Sequence, residues 1–289
     1  MTTTPHLLPA LVTAFGQDGA LDLVSCRRLF ARAATLDVEA HFVAGTTGEF
    51  VTLSDDERLA VIGAAVDEIG PQHVFAHVGA ASEHAAVRLA MRAHELGARR
   101  FAAITPYYTA VPRAALVDYY TGLRRALDGC ELFAYVFPDR TGLDISPEDL
   151  AAVVVAAGLD GVKVSVPGVD YVGRLVDALP AGAVVYSGND ALLPEVVEAG
   201  GAGVVSGVMQ AGPEPFLRQA EALRRGDVAA ALAVRPDVDA LVGVYGPNLA
   251  ATKARLVAEG LLASSAVRVP HVSRPATDPV PEPPAVVQA

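Results

Sequence analysis

Two lysines stand among 22 basic residues, so each position is informative. Lys163 lies in Gly161-Val162-Lys163-Val164-Ser165, a short β-branched run between two helix-like segments. Strand alternation puts Gly161, Lys163 and Ser165 on one face and the two valines on the other. If the valines meet helices, the amine points into the sheet's enclosed side. Burial disfavours the charged form of an amine, and a neutral amine attacks a carbonyl carbon to form an imine. The competing reading is a structural lysine paired with a carboxylate. Lys253, in Ala251-Thr252-Lys253-Ala254-Arg255, reads as a solvated amine on the surface of a C-terminal helix.

Other windows carry groups that could serve the same chemistry. Gly45-Thr46-Thr47-Gly48-Glu49 follows a strand-like run, and two glycines around two threonines form a turn able to aim N–H groups and hydroxyls at a small carboxylate. It lacks the Gly-Lys-Ser/Thr ending of a nucleotide phosphate loop. Thr105-Pro106-Tyr107-Tyr108 and Tyr135-Val136-Phe137-Pro138-Asp139-Arg140-Thr141-Gly142 each close another such run. A lone tyrosine at a strand end is usually a core residue with a satisfied hydroxyl. Arg140 could grip a second carboxylate with its planar fork.

The elements that must hold these windows alternate in type. Strand-like runs cover residues 8–15, 41–44, 74–78, 100–105, 132–137, 161–165, 183–187 and 203–208. Between them, residues 23–36, 55–69, 83–96, 113–127, 147–157, 170–179, 191–199 and 213–225 place apolar side chains at helical spacing. Ser54 with Glu57 forms a capping box, Ser146-Pro147 a helix start, and Gly70, Gly97 and Gly158 helix stops. Eight βα units over residues 1–227 predict an α/β fold, a (β/α)₈ TIM barrel, in preference to a doubly wound sheet. Helical segments at 228–242 and 247–262 predict a C-terminal extension over residues 228–263, packed on the barrel. Residues 264–289 are rich in proline and read as a mobile tail. In this barrel the chemistry gathers at the C-terminal ends of the strands, where all these windows fall.

Composition narrows the partners. With 289 residues, 52% hydrophobic and 19% charged, the chain can bury a large core. A net charge of −11 and a pI near 5.0 exclude a nucleic-acid or anionic-membrane surface and favour a small-molecule substrate. The N-terminal residues lack the pattern of a signal peptide and no run of eighteen apolar residues follows, which predicts a cytoplasmic protein. Cys26 and Cys130 are read as packing residues. His73 and His77 share a strand face but lack a third ligand and read as a packed or surface pair, so neither a metal nor another cofactor is expected.

In this order and combination, the Gly45–Glu49 turn, Thr105-Pro106-Tyr107-Tyr108, Tyr135 with Pro138-Asp139-Arg140-Thr141-Gly142, Gly161-Val162-Lys163 and Ser187-Gly188-Asn189-Asp190 resemble the dihydrodipicolinate synthase / N-acetylneuraminate lyase family. The resemblance implies a class I aldolase or lyase in which Lys163 forms a Schiff base with pyruvate or a related 2-keto acid. It also implies that Tyr135 passes protons, that Thr46 and Thr47 hold the keto-acid carboxylate, and that Val205 and Gly188 line the substrate. Tyr108 would complete a hydroxyl relay with Thr46 and Tyr135 in the neighbouring subunit, which implies a dimer or tetramer. Val164-Ser165-Val166-Pro167-Gly168 after the lysine, Val136, and Met209-Gln210 depart from the family's usual residues and leave the aldehyde acceptor open. Arg140 favours an acidic one, as in a 4-hydroxy-tetrahydrodipicolinate synthase. A barrel that binds a keto acid without turnover is the alternative outside catalysis.

Overall fold

The computed structural model describes residues 4–246 and 248–271. Eight parallel strands follow in the order β1-β8-β7-β6-β5-β4-β3-β2: β1 His6–Pro9, β2 His41–Val43, β3 Val74–His77, β4 Arg100–Ile104, β5 Glu131–Val136, β6 Gly161–Val164, β7 Val184–Ser187 and β8 Gly203–Ser206. A parallel bridge from Ala10 to Phe42 closes the ring, with the Leu11 N–H donating to the Phe42 carbonyl at 2.9 Å. The expected (β/α)₈ barrel is therefore the observed fold.

Helices α1 Leu23–Ala33, α2 Asp55–Ile69, α3 Glu83–Glu95 and α4 Arg113–Ala126 pack outside the first half. The short α5 Pro138–Thr141 precedes α6 Pro147–Ala157, and α7 Asp170–Ala178, α8 Leu193–Glu198 and α9 Glu214–Arg224 complete the wrapping. Three more, α10 Val228–Ala233, α11 Arg235–Tyr245 and α12 Leu249–Ala258, follow the barrel. Their sequence signals act as expected. Ser54 and Glu57 form the reciprocal capping box of α2, Ser146 accepts from the Asp149 N–H ahead of α6, and Gly158 ends α6 at φ 64°.

Strand alternation divides the core. Val162 and Val164 belong to the large apolar layer between strands and helices, whereas Phe42, Phe75, Phe133, Tyr135, Tyr186 and Val205 cluster inside the barrel. Burying each valine stabilises this layer by about 1.5–3 kcal/mol. The same pleat turns Lys163 inward. Its register partners are Tyr135 on β5 and Tyr186 on β7, so three neighbouring strands carry these residues at one level.

Several boundaries differ from those expected, two of them substantially. The first strand ends at Pro9, and beyond the Ala10 bridge the mostly apolar residues 11–15 are buried in irregular chain instead. Their backbone groups find other partners: Val12 N–H donates to Gln210 Oε1 at 3.0 Å, and Ala14 N–H to Cys26 Sγ at 3.3 Å. The helical segment 228–242 is two helices, and the next begins at Leu249, Pro247 lying outside the described residues. Residues 264–271 of the expected tail make defined contacts, while 272–289 lie outside the described residues. No helix among the described residues is long and apolar enough to cross a membrane.

Candidate active site

The Lys163 side chain is buried at 7% exposure, its Nζ 4.1 Å from the centre of the Tyr135 ring and 4.7 Å from that of Phe42. Both aromatic faces exclude water from the amine's flanks. The Tyr135 hydroxyl lies 3.2 Å from Thr46 Oγ1, which links β5 to the loop after β2. Lys163, Tyr135 and Thr46, singled out from three distant windows, thus meet at one mouth of the barrel.

The Thr46-Thr47 loop is tightly built. Ala44 and Glu49, at its two ends, take left-handed backbone angles, φ 54° and 57°, which strain a non-glycine residue unless its surroundings fix it. A Cβ on Gly45 would come within 2.7 Å of the Phe42 ring, and one on Gly48 within 3.1 Å of the Ala44 Cα. Thr13 Oγ1 donates to the Gly48 carbonyl at 2.8 Å. Thr47 faces Gly207 beyond β8, where an added Cβ would lie 3.1 Å from Thr47 Oγ1. Val205 is buried inside the barrel, and Gly188 abuts Ser165, whose Oγ would be 2.3 Å from a Cβ there.

His77, expected as a packed or surface residue rather than a metal ligand, is a packed one with partners on both nitrogens. His73 is exposed, whereas His77 is fully buried inside the barrel between Phe42, Phe50 and Tyr135. Its Nε2 accepts from the Ile104 N–H at 3.2 Å, which leaves Nδ1–H to donate to the Ala44 carbonyl at 3.0 Å. Burial first, and then the nearby Arg58, push its pKa well below the usual value, so it stays neutral and pins the strained Ala44. Arg58 in turn donates to the carbonyls of His77 and Gly79 at 2.8 and 3.1 Å. No spacing rule signals such support, because each bond joins separate βα units.

Asp190, the last residue of the quoted Ser-Gly-Asn-Asp run, was also passed over. Its Oδ1 is buried with no hydrogen-bond partner among the described residues. Burial pushes its carboxyl up, while a bond from Ser206 and the charge of Lys163 pull it down.

The reading of Lys253 as a surface amine is overturned. Its side chain is fully buried, ion-paired with the equally buried Glu49, and its Nζ donates to the Ala266 carbonyl at 2.8 Å. The amine also lies 4.4 Å above the Phe15 ring. Burial lowers its pKa and Glu49 draws it back up. The signal was missed because its acid stands 204 positions away in sequence.

Tyr108 is 97% exposed with φ 80°, and makes no recorded hydrogen bond or ring contact among the described residues. Tyr107 takes the inward place, half-buried and edge-on to Phe50 at 6.1 Å, and burial raises its hydroxyl's pKa. Arg140 is exposed on α5 over the Phe137 ring, 5.6 Å from its centre, and no acid pairs with it among the described residues. A cavity of about 200 Å³ opens here between Thr46, Phe50, Tyr107, Arg140, Pro270 and His271. A larger groove of about 520 Å³ lies outside, between α1, α2 and α3. Its Arg27 and Arg92 are already paired with Asp67 and Asp56. The smaller cavity adjoins the candidate site through Thr46 and Arg140, while Lys163, Tyr135 and Thr47 do not line it.

The chain has known relatives. A family model described as the dihydrodipicolinate synthetase family matches residues 4–278. An uncharacterized DapA-like lyase of Halobacterium salinarum is 35% identical over 257 residues, covering 88% of this chain and 84% of its own. A 4-hydroxy-tetrahydrodipicolinate synthase of Methylococcus capsulatus is 32% identical over 233 residues, 80% of each chain. Among solved structures, dihydrodipicolinate synthase from Aquifex aeolicus is similar at a TM-score of 0.87 and 25% identity, covering 94% of this chain and 93% of its own. The buried barrel lysine, the strand-end hydroxyls and these matches agree: the chain belongs to the dihydrodipicolinate synthetase family and is a carbon–carbon lyase.

Proposed function

We propose that Lys163 forms a Schiff base with pyruvate or a close 2-keto acid, and that the resulting enamine makes or breaks a carbon–carbon bond to an aldehyde. The observation that carries this reading is the Lys163 amine buried inside the barrel against Tyr135, whose hydroxyl is paired with Thr46. The amine adds to the keto carbon, and the carbinolamine loses its oxygen as water to leave an iminium. Loss of a C3 proton gives the enamine, whose C3 attacks the aldehyde carbon. The new alkoxide takes up a proton, and water returns to the iminium carbon to free product and amine. Cleavage runs these steps backwards. Tyr135 supplies and recovers the protons with Thr46 as its relay, Thr47 and the loop N–H groups hold the keto-acid carboxylate, and Gly188 and Val205 line the bound chain. Fixing both partners in one cavity removes much of the entropic barrier to their union.

Tyr108 supports a homo-oligomer, dimer or tetramer, in which it completes the neighbouring hydroxyl relay, since an exposed, strained tyrosine gains most from a partner surface. The unpaired Arg140 at the cavity favours an acceptor with its own carboxylate, the reading in which pyruvate condenses with aspartate semialdehyde.

Borohydride added with pyruvate tests the central step. Peptide mass mapping should place the reduced adduct on Lys163, and Lys163→Arg should abolish it, because a guanidinium does not deprotonate. Label at Lys253 alone, or none at saturating pyruvate, would overturn the Schiff-base reading.

A further inference from the structure

We infer that Lys253 is a positioning residue that, with Arg268, holds the keto-acid loop in its binding shape through Glu49; this rests on the proposed role of Thr46 and Thr47. Glu49 stands two residues beyond Thr47, in a left-handed backbone conformation and fully buried. Its own N–H donates to the Thr46 carbonyl at 3.0 Å, so the side chain's anchorage passes directly to the turn. Both carboxylate oxygens are engaged. Lys253 Nζ donates to Oε1, and the Arg268 backbone N–H donates to Oε2 at 3.0 Å.

The clamp reaches further through Arg268. Its guanidinium donates to the carbonyls of Gly19 and Thr52, both at 2.9 Å, and grips Glu57, with Nη1 2.9 Å from Oε2. That bond holds the Glu57 carboxyl down at about 2. Two and three residues on, Pro270 and His271 line the cavity beside Thr46 and Arg140. One set of contacts therefore fixes the turn that binds the keto acid and the chain that walls the acceptor side. A buried ion pair is often no more stabilising than packed apolar residues of similar volume, so stability alone does not account for it. Its effect is geometric: it holds a strained turn on which two hydroxyls must converge with Lys163.

The test uses the full-length chain, with thermal melting beside the pyruvate concentration that half-saturates borohydride trapping at Lys163. Lys253→Met strands the Glu49 charge. The double variant Lys253→Met/Glu49→Gln removes both charges and regains folding stability without the clamp. Arg268→Ala leaves the buried pair in place. In the double variant the half-saturating pyruvate should rise roughly ten- to a hundredfold, the scale of a small misplacement, with the label still on Lys163. Arg268→Ala should raise the acceptor's KM more than it changes pyruvate trapping. If the double variant recovers both melting and trapping, Lys253 serves stability only and the inference falls. If it does not fold, an Arg268→Ala variant with unchanged acceptor and pyruvate constants overturns it instead. No trapping in the unsubstituted protein would overturn the Schiff-base reading as well, whereas trapping there with unaltered variants overturns the clamp alone.

Discussion

Tyr135→Phe separates chemistry from packing at the centre of the site. Tyr135 is 1% exposed, and its ring, which phenylalanine retains, makes the contacts with Lys163, Phe42 and His77. The change removes one atom, the hydroxyl oxygen 3.2 Å from Thr46 Oγ1. Losing that bond should cost about 0.5–1.5 kcal/mol of stability, a net hydrogen bond's usual worth, and lower Tm by only a few degrees or ~2–4 °C. Losing a proton-transfer group should lower turnover roughly 10²–10⁴-fold, which is about 2.7–5.4 kcal/mol on the barrier. The rate effect thus exceeds the stability effect several-fold. Initial rates of pyruvate-dependent condensation or cleavage, thermal melting and the rate of borohydride trapping would be measured on the same preparations. Adding Thr46→Val should cost little more, since either change breaks the same bond, and the shortfall from additivity measures their coupling. Turnover within about threefold of the unsubstituted protein, against the 10²–10⁴ of a proton-transfer group, would reduce Tyr135 to a packing residue and refute the relay.

Two further outcomes follow from the cavity rim and from Tyr108. Arg140→Ala should raise the KM of a carboxylate-bearing aldehyde about ten- to a hundredfold, from the roughly 1.5–3 kcal/mol of a charge-assisted contact, and pyruvate's much less; equal losses for neutral and acidic aldehydes would remove Arg140 from acceptor binding. Tyr108→Phe should lower turnover while trapping at Lys163 persists, and a fully active monomer in sedimentation would contradict a role for Tyr108 in a neighbouring site.

The position of Lys163 was legible because a strand's period is two: once Val162 and Val164 are assigned to the helix-facing layer, the lysine has only the barrel interior left. Strand ends were legible for the same reason, and they brought Thr46 and Tyr135 to one mouth. The same rule misplaced the first strand, because it detects burial and cannot tell a sheet from buried irregular chain. Residues 11–15 are apolar except for Thr13, but Val12 and Ala14 bond to Gln210 and Cys26 rather than to a neighbouring strand. Cys26 illustrates the complementary success: a buried packing thiol, pushed up to about 11 mainly by burial, as its isolation in the sequence suggested.

What escaped the sequence is the support behind the site, and the reason is distance along the chain. Lys253 sits in an alanine-rich helix whose local pattern fits a surface amine, and only the fold brings Glu49 against it across 204 positions. His77 reads as one of a packed or surface pair with His73, and only the fold shows Ile104 and Ala44 occupying its two nitrogens. The groups proposed to touch substrate sit on windows whose residue types are chemically unusual for their setting, such as a lysine in a valine strand. Groups that hold those windows in place obey no local rule, since their job is to satisfy donors and charges that arise only when βα units meet. Arg268 extends this point, for a segment whose composition suggests a loose tail ties Gly19, Thr52 and Glu57 together and carries His271 to the cavity. Candidates for a site's reacting groups can therefore be read from periodicity and residue type, while the residues that set its geometry emerge only from tracing where each buried polar group finds its partner.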